Sequence, residues 1–152
     1  MAAENSKIVY GGSMMLFITS GATKMPVAFS TSAKLDLTLD IREISSKDSG
    51  IWKEKAAGKW DWNASTEGLM AFSLITGTTM DIDDLFTLMI ARDPVTLSFG
   101  ITSGSTPSWS LDTSKKYFGG SAIITSLSLN APDNDNATYS ITLEGASELT
   151  LT

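Results

Sequence analysis

Residues 34–67, KLDLTLDIREISSKDSGIWKEKAAGKWDWNASTE, constrain the fold of this chain more than any other segment. Leu35, Leu37, Leu39 and Ile41 alternate with Asp36, Thr38, Asp40 and Arg42, the period of two that a strand shows when it buries one face and wets the other. Trp60, Trp62 and Ala64 alternate with Asp61, Asn63 and Ser65 in the same way. Between them, residues 44–58 form an excursion far longer than the roughly two to five residues that reverse a chain. The excursion holds charges of both signs, two glycines and Trp52. Residues 43–59 carry four bases and three acids, whereas the whole chain has a net charge of −6. A near-neutral arm on an acidic body favours contact with an acidic neighbour over self-repulsion.

The rest of the composition narrows the function classes. With 152 residues, 42% apolar and 18% charged, the chain reads as one globular domain over 1–152, large enough to bury a core without disulfides or metal. There is no histidine and no cysteine, which removes Ser-His-Asp and Cys-His nucleophile systems and the zinc sites built on those ligands. Absence of cysteine also fits synthesis in a reducing cytoplasm. The opening MAAENSKIVYGG lacks an apolar run with a cleavage site, and residues 14–18 are too short an apolar stretch to cross a bilayer, so no membrane partner is expected. Residues 117–152 carry four acids and no base, a balance that repels phosphate and disfavours tight nucleic-acid binding.

Residues 14–20, 27–30, 33–44, 60–66, 95–101, 121–130 and 137–144 read as strands, with weaker pairing segments around Trp109 and Leu111 and around Leu149 and Leu151. Residues 71–75 are ambiguous, and residues 102–107 read as a loop. One helix is predicted over residues 82–91, where Leu85, Met89, Phe86, Ile90 and Leu88 form a broad apolar face. Thr79 or Asp81 caps it, Asp83 and Asp84 face the positive end of its dipole, Arg92 lies at the other end and Pro94 prevents continuation. Many short strands with one amphipathic helix argue for a β-sandwich or β-barrel with a helix alongside.

Each chemical motif has a plainer explanation. Asp81, Asp83 and Asp84 suit helix capping better than metal ligation. Asp133, Asn134, Asp135 and Asn136 resemble the start of a calcium loop, but Thr138 stands where that loop needs glycine. Gly11-Gly12 and Gly119-Gly120 lack the lysine and spacing of nucleotide loops and read as turns or bulges. Trp60 and Trp62 share a face with Ala64 and are expected in the core, which leaves Trp52 as the interface candidate. No catalytic residue, metal ligand or cofactor is expected.

Three strings carry a family likeness: STSAKLDLTLDIREISSKDSGIWKEKAAGKWDWNASTEGL, DIDDLFTLMIAR and YFGGSAIITSLSLNAPDNDNATYSITLEG. In order and spacing they resemble the major tail tube proteins of long-tailed bacteriophages, over roughly residues 14–145. The resemblance implies a mainly β fold, a sandwich or barrel of the tail tube type with one flanking helix and a long extended hairpin loop. It also implies hexameric rings stacked into a hollow conduit for DNA ejection that encloses a tape measure protein and meets tail terminator and distal tail proteins at its ends. Such a subunit is made in the host cytoplasm and resides in the virion tail. Genomic DNA passes through it in transit and is not held tightly.

By the same likeness, residues 44–58 reach the adjacent ring through Ser46, Lys47, Asp48, Ser49, Trp52, Lys53 and Lys55. Asp36, Asp40 and Glu144 are candidates for the channel wall, where few cations mean little adhesion of DNA. Two other readings stay open: an inner tube subunit of a contractile tail or injection system, and a carbohydrate-binding β-sandwich that uses exposed tryptophans.

Overall fold

Alternating apolar and polar residues assemble here into one long antiparallel sheet. The computed structural model describes residues 8–20, 23–27, 30–70, 80–105 and 108–152. In chain order these give β1 (Met14–Ser20), β2 (Thr23–Pro26), β3 (Ser30–Glu43), β4 (Lys55–Leu69), α1 (Ile82–Ala91), β5 (Val95–Ser105), β6 (Ser108–Leu111), β7 (Phe118–Asn130), β8 (Thr138–Gly145) and β9 (Thr150–Leu151). The sheet runs β2-β1-β5-β7-β8-β4-β3, with β6 on β5 and β9 on β7. Its strand pairs are antiparallel. The sheet is open, with β2 and β3 as outer strands, and it coils far enough for β1 to approach β3.

Coiling gives the sheet an inner face. Leu16 and Ile18 of β1, Trp62 and Ala64 of β4, Leu97 of β5, Ile124 of β7 and Ile141 and Leu143 of β8 meet there, closed over by Met80, Ile82 and Leu85. Burying each large side chain stabilises the fold by roughly 1.5–3 kcal/mol. Phe17 follows Leu16 and so points to the other face, where it is fully buried in register with Pro26 and Ser98. A buried hydroxyl near the outer strand is also satisfied: Thr66 Oγ1 lies 2.8 Å from Ser30 Oγ and donates to the Ser32 carbonyl at 2.8 Å. Those bonds tie down the bulge between Ser30 and Ser32.

The helix has the bounds its sequence indicates, and of the two expected caps it is Asp81 that caps it: Asp84 N donates to Asp81 Oδ1 at 3.0 Å. Thr79 lies outside the described residues. The helix ends at Arg92, whose left-handed backbone (φ 62°) places its N–H on the Met89 carbonyl, just before Pro94.

Several boundaries differ from the sequence reading. Lys55, Ala56, Ala57 and Gly58 belong to β4 rather than to a loop, because Glu43↔Lys55, Arg42↔Ala56 and Ile41↔Ala57 continue the pairing. A bulge explains the misreading: Gly58 and Lys59 oppose Asp40 alone between Leu39↔Trp60 and Ile41↔Ala57, which breaks the alternation without breaking the ladder. Residues 102–105 are strand as well, paired with β6. Gly119 and Gly120 lie in regular register with Ser98 and Leu97 instead of at a turn. Val27 makes a single bridge to Met80, and residues 28–29 and 71–75 lie outside the described residues.

Candidate assembly site

The β3–β4 hairpin outgrows the sheet that supports it. Strand β8 accompanies β4 only from Leu69 to Asn63, the last register being Asn63↔Glu144. Beyond that point, among the described residues, β4 pairs with β3 alone. Register still fixes the faces. Leu35↔Ala64, Leu37↔Trp62, Leu39↔Trp60 and Ile41↔Ala57 share the core-facing side, while Asp36↔Asn63 and Thr38↔Asp61 share the opposite one.

Along β4 full burial stops at Trp62. Its ring lies against Gly145 and Gly120, where Cβ atoms would collide with it, and its Nε1 donates to the Ser147 carbonyl at 2.7 Å. Trp62 is 4% exposed, and Trp60, two residues away on the same face, is 65% exposed. The expectation that both lie in the core is therefore corrected for Trp60, because among the described residues no element covers the overhang. Leu37 and Ile41 are exposed beside it. Leu37, Trp60, Trp62 and the turn after β8 line a groove of about 620 Å³.

The hairpin ends in a loop with a defined neck. Ile44 N donates to the Glu54 carbonyl at 3.0 Å and Glu54 N to Ser45 Oγ at 2.7 Å. Inside that neck Lys47–Ser49 form a 3-10 turn, in which Asp48 N donates to Ser46 Oγ at 3.3 Å. Gly50 follows with a left-handed backbone (φ 68°). Of the loop candidates, Ser46, Lys47, Asp48, Trp52 and Lys53 are exposed together at the tip, while Lys55 stands on β4 below it. For Ser49 only the backbone is described. Ile51 and Trp52 present apolar surface there, 93% and 78% exposed.

The three channel-wall candidates fall along one surface. Asp36, Asn63 and Glu144 stand in a row across β3, β4 and β8. Asp40 is four residues farther along β3, at the bulge. Register adds Asp61, opposite Thr38 on this side, which alternation within one strand did not single out. The row is not purely acidic, since Lys34 Nζ lies 3.3 Å from Asp36 Oδ2. That exposed pair contributes little to stability.

A second apolar patch was missed. Phe86 and Leu129 are exposed around a depression of about 430 Å³ that Ile82 and Leu127 also line, and Ile90, one turn beyond Phe86 on the helix, is exposed as well. The broad helical face expected to be buried is buried on one side only, through Ile82 and Leu85, because one sheet covers only one side of a helix.

Three side chains among the described residues titrate away from their ordinary values. Burial and the charge of Asp81 push the Asp84 carboxyl up, hydrogen bonds from Ser114 hold Asp112 down, and burial pushes the Tyr139 phenol up, so that it stays neutral. Among the described residues no group of three or more Asp or Glu side chains is placed to hold a metal ion, and no helix is long and apolar enough to cross a membrane.

No protein-family model and no curated protein matches the sequence. Solved structures do match. The tail of an empty gene transfer agent particle, solved with C6 symmetry, superposes with a TM-score of 0.73 at 16% identity over 95% of this chain and 99% of that one. The SPP1 tail tube gives 0.69 at 8% identity over 95% and 79%. The baseplate of the anti-feeding prophage gives 0.63 at 10% identity over 95% and 95%. Over 95% of its length this chain thus has the fold found in phage-type tail tube structures.

Proposed function

We propose that this chain is a structural subunit of a phage-type tail tube: it self-associates into rings that stack into a hollow virion tail. The observation that carries this reading is the fold match across 95% of the chain to a tail of C6 symmetry. The overhang supports it, since a hairpin with one apolar face that nothing among the described residues covers calls for a neighbour. So does the outer strand β3, which among the described residues pairs only with β4 and whose other edge a ring would join and protect.

In this reading the tip residues Ser46, Lys47, Asp48, Ser49, Trp52 and Lys53, with Lys55 beneath them, contact the next ring. The side bearing Asp36, Asp40 and Glu144 lines the channel. DNA passes that wall in transit, a tape measure protein occupies it beforehand, and terminator and distal tail proteins close the ends. The role is mechanical, not catalytic.

Negative-stain microscopy with sedimentation of the purified chain tests the assembly and is expected to show rings or tubes; a monomer at every concentration would overturn it. Replacing residues 46–53 by a two-residue turn should leave a folded protein and abolish stacking. The cut spares residues 55–57, because they are strand. Tubes carrying Glu144→Lys or Asp40→Lys are expected to retain DNA on ejection, and unchanged release would remove those residues from the wall. The anti-feeding prophage match keeps a contractile-type inner tube as the second reading, and a sheath protein copurifying with the tube would favour it.

A further inference from the structure

Two exposed apolar patches sit at opposite ends of the sheet, and their surroundings differ in charge. One is the overhang, with Leu37, Ile41 and Trp60. The other is the helix side, with Phe86, Ile90 and Leu129. Leu129 pairs with Tyr139, which pairs with Gly68, so the patches are about eight strand residues apart, on the order of 27 Å at the rise of a β-strand. They cannot meet within one chain. Residues 42–59 carry five bases and three acids. Residues 80–91 carry three acids and no base, and residues 127–136, which run through Leu129 into the following turn, carry two acids and no base.

Resting on the tube reading for the existence of an assembly, we infer that the overhang of one copy docks its Ile41–Trp60 face onto the Phe86–Ile90 face of a second copy, with Lys55 meeting the acidic start of the helix. Apolar area supplies the attraction and the opposite charges fix the direction. Two different patches on one molecule make a head-to-tail contact, and such a contact repeats around a ring or along a filament, whereas a self-complementary patch stops at a dimer. The inner side of the overhang is then covered while the Asp36–Glu144 side stays wet, which explains why its alternation persists beyond the chain's own core.

The absence of cysteine makes the pairing directly testable. Ile41→Cys and Ile90→Cys change side chains that are each 64% exposed, so neither substitution disturbs packing. Mixed in assembled material and treated with a short bismaleimide, the two variants are expected to give a crosslinked dimer that neither gives alone. Thr38→Cys, on the opposite side of the hairpin, should not crosslink to Ile90→Cys. Tubes or rings without the mixed dimer would overturn the pairing and leave the tube reading standing. Crosslinking of Ile41→Cys to itself, or equal crosslinking through Thr38→Cys, would overturn it too, and a chain that never assembles would sink both. Separately, Lys55→Glu is expected to raise the concentration needed for assembly by up to about fivefold, the most that an exposed pair supplies. Asp83→Lys should restore it, and failure of that rescue would remove the charge pairing.

Discussion

Trp62 and Trp60 stand two residues apart on one face of one strand, yet the first is a core residue and the second is surface. Nothing in their local sequence separates them, since each faces a leucine across the strand pair. The difference lies in what the rest of the chain brings. Gly145 and Gly120 open a slot for the Trp62 ring and Ser147 accepts its N–H, whereas no element among the described residues reaches as far as Trp60. An apolar stripe therefore states that something will cover it, and not that its own chain will.

The sharpest break would come from the buried member. Trp62→Ala is expected to lower unfolding free energy by about 3–5 kcal/mol, read from urea midpoints of unassembled protein; a loss below about 1 kcal/mol would mean that the buried half of the hairpin is not what holds it. Gly145→Ala pushes a methyl into the Trp62 ring and should cost about 1–3 kcal/mol by the same measurement. An unchanged midpoint would show that the slot has room to spare. Trp60→Ala should leave that midpoint within about 0.5 kcal/mol while sedimentation shows assembly weakened. A large loss of monomer stability there would erase the contrast.

The smallest effect concerns the helix that closes the same core over the buried half. Asp84 has a pKa raised above its ordinary 3.8, by burial and then by Asp81. A raised folded-state pKa contributes stability that is fully present below the unfolded pKa and is lost as pH rises through the folded one. Melting temperatures measured from about pH 6 down to about pH 3 should therefore show the native chain gaining on Asp84→Asn as pH falls. A relative gain in the other direction would contradict the packing of the first helical turn.

Much of the architecture was legible because it rests on periodicity and on local stereochemistry. Bounds for β1 and α1, the Asp81 cap and the β7–β8 hairpin follow from an apolar run flanked by glycines, from spacing of three and four, and from alternation and turn residues whose preferences act over a few positions. The overhang was legible in part: its two strands were found, but the bulge at Gly58 and Lys59 hid four strand residues inside the loop. Phe86, Ile90 and Asp61 escaped for another reason. Whether a helical face is covered, or which acids from separate strands share a surface, depends on partners distant along the chain.

Residue order by itself determined a mainly β chain with one helix, a long hairpin bearing an apolar and an acidic side, and the absence of thiol and imidazole chemistry, since these depend on residue types and near neighbours. Tertiary structure alone decided where the core ends along that hairpin, that Asp36 and Glu144 stand in one row, and that two apolar patches remain open at opposite ends. Burial and register are settled by strands distant in sequence, and β8 stops at Asn63 whatever the pattern of β4 continues to spell.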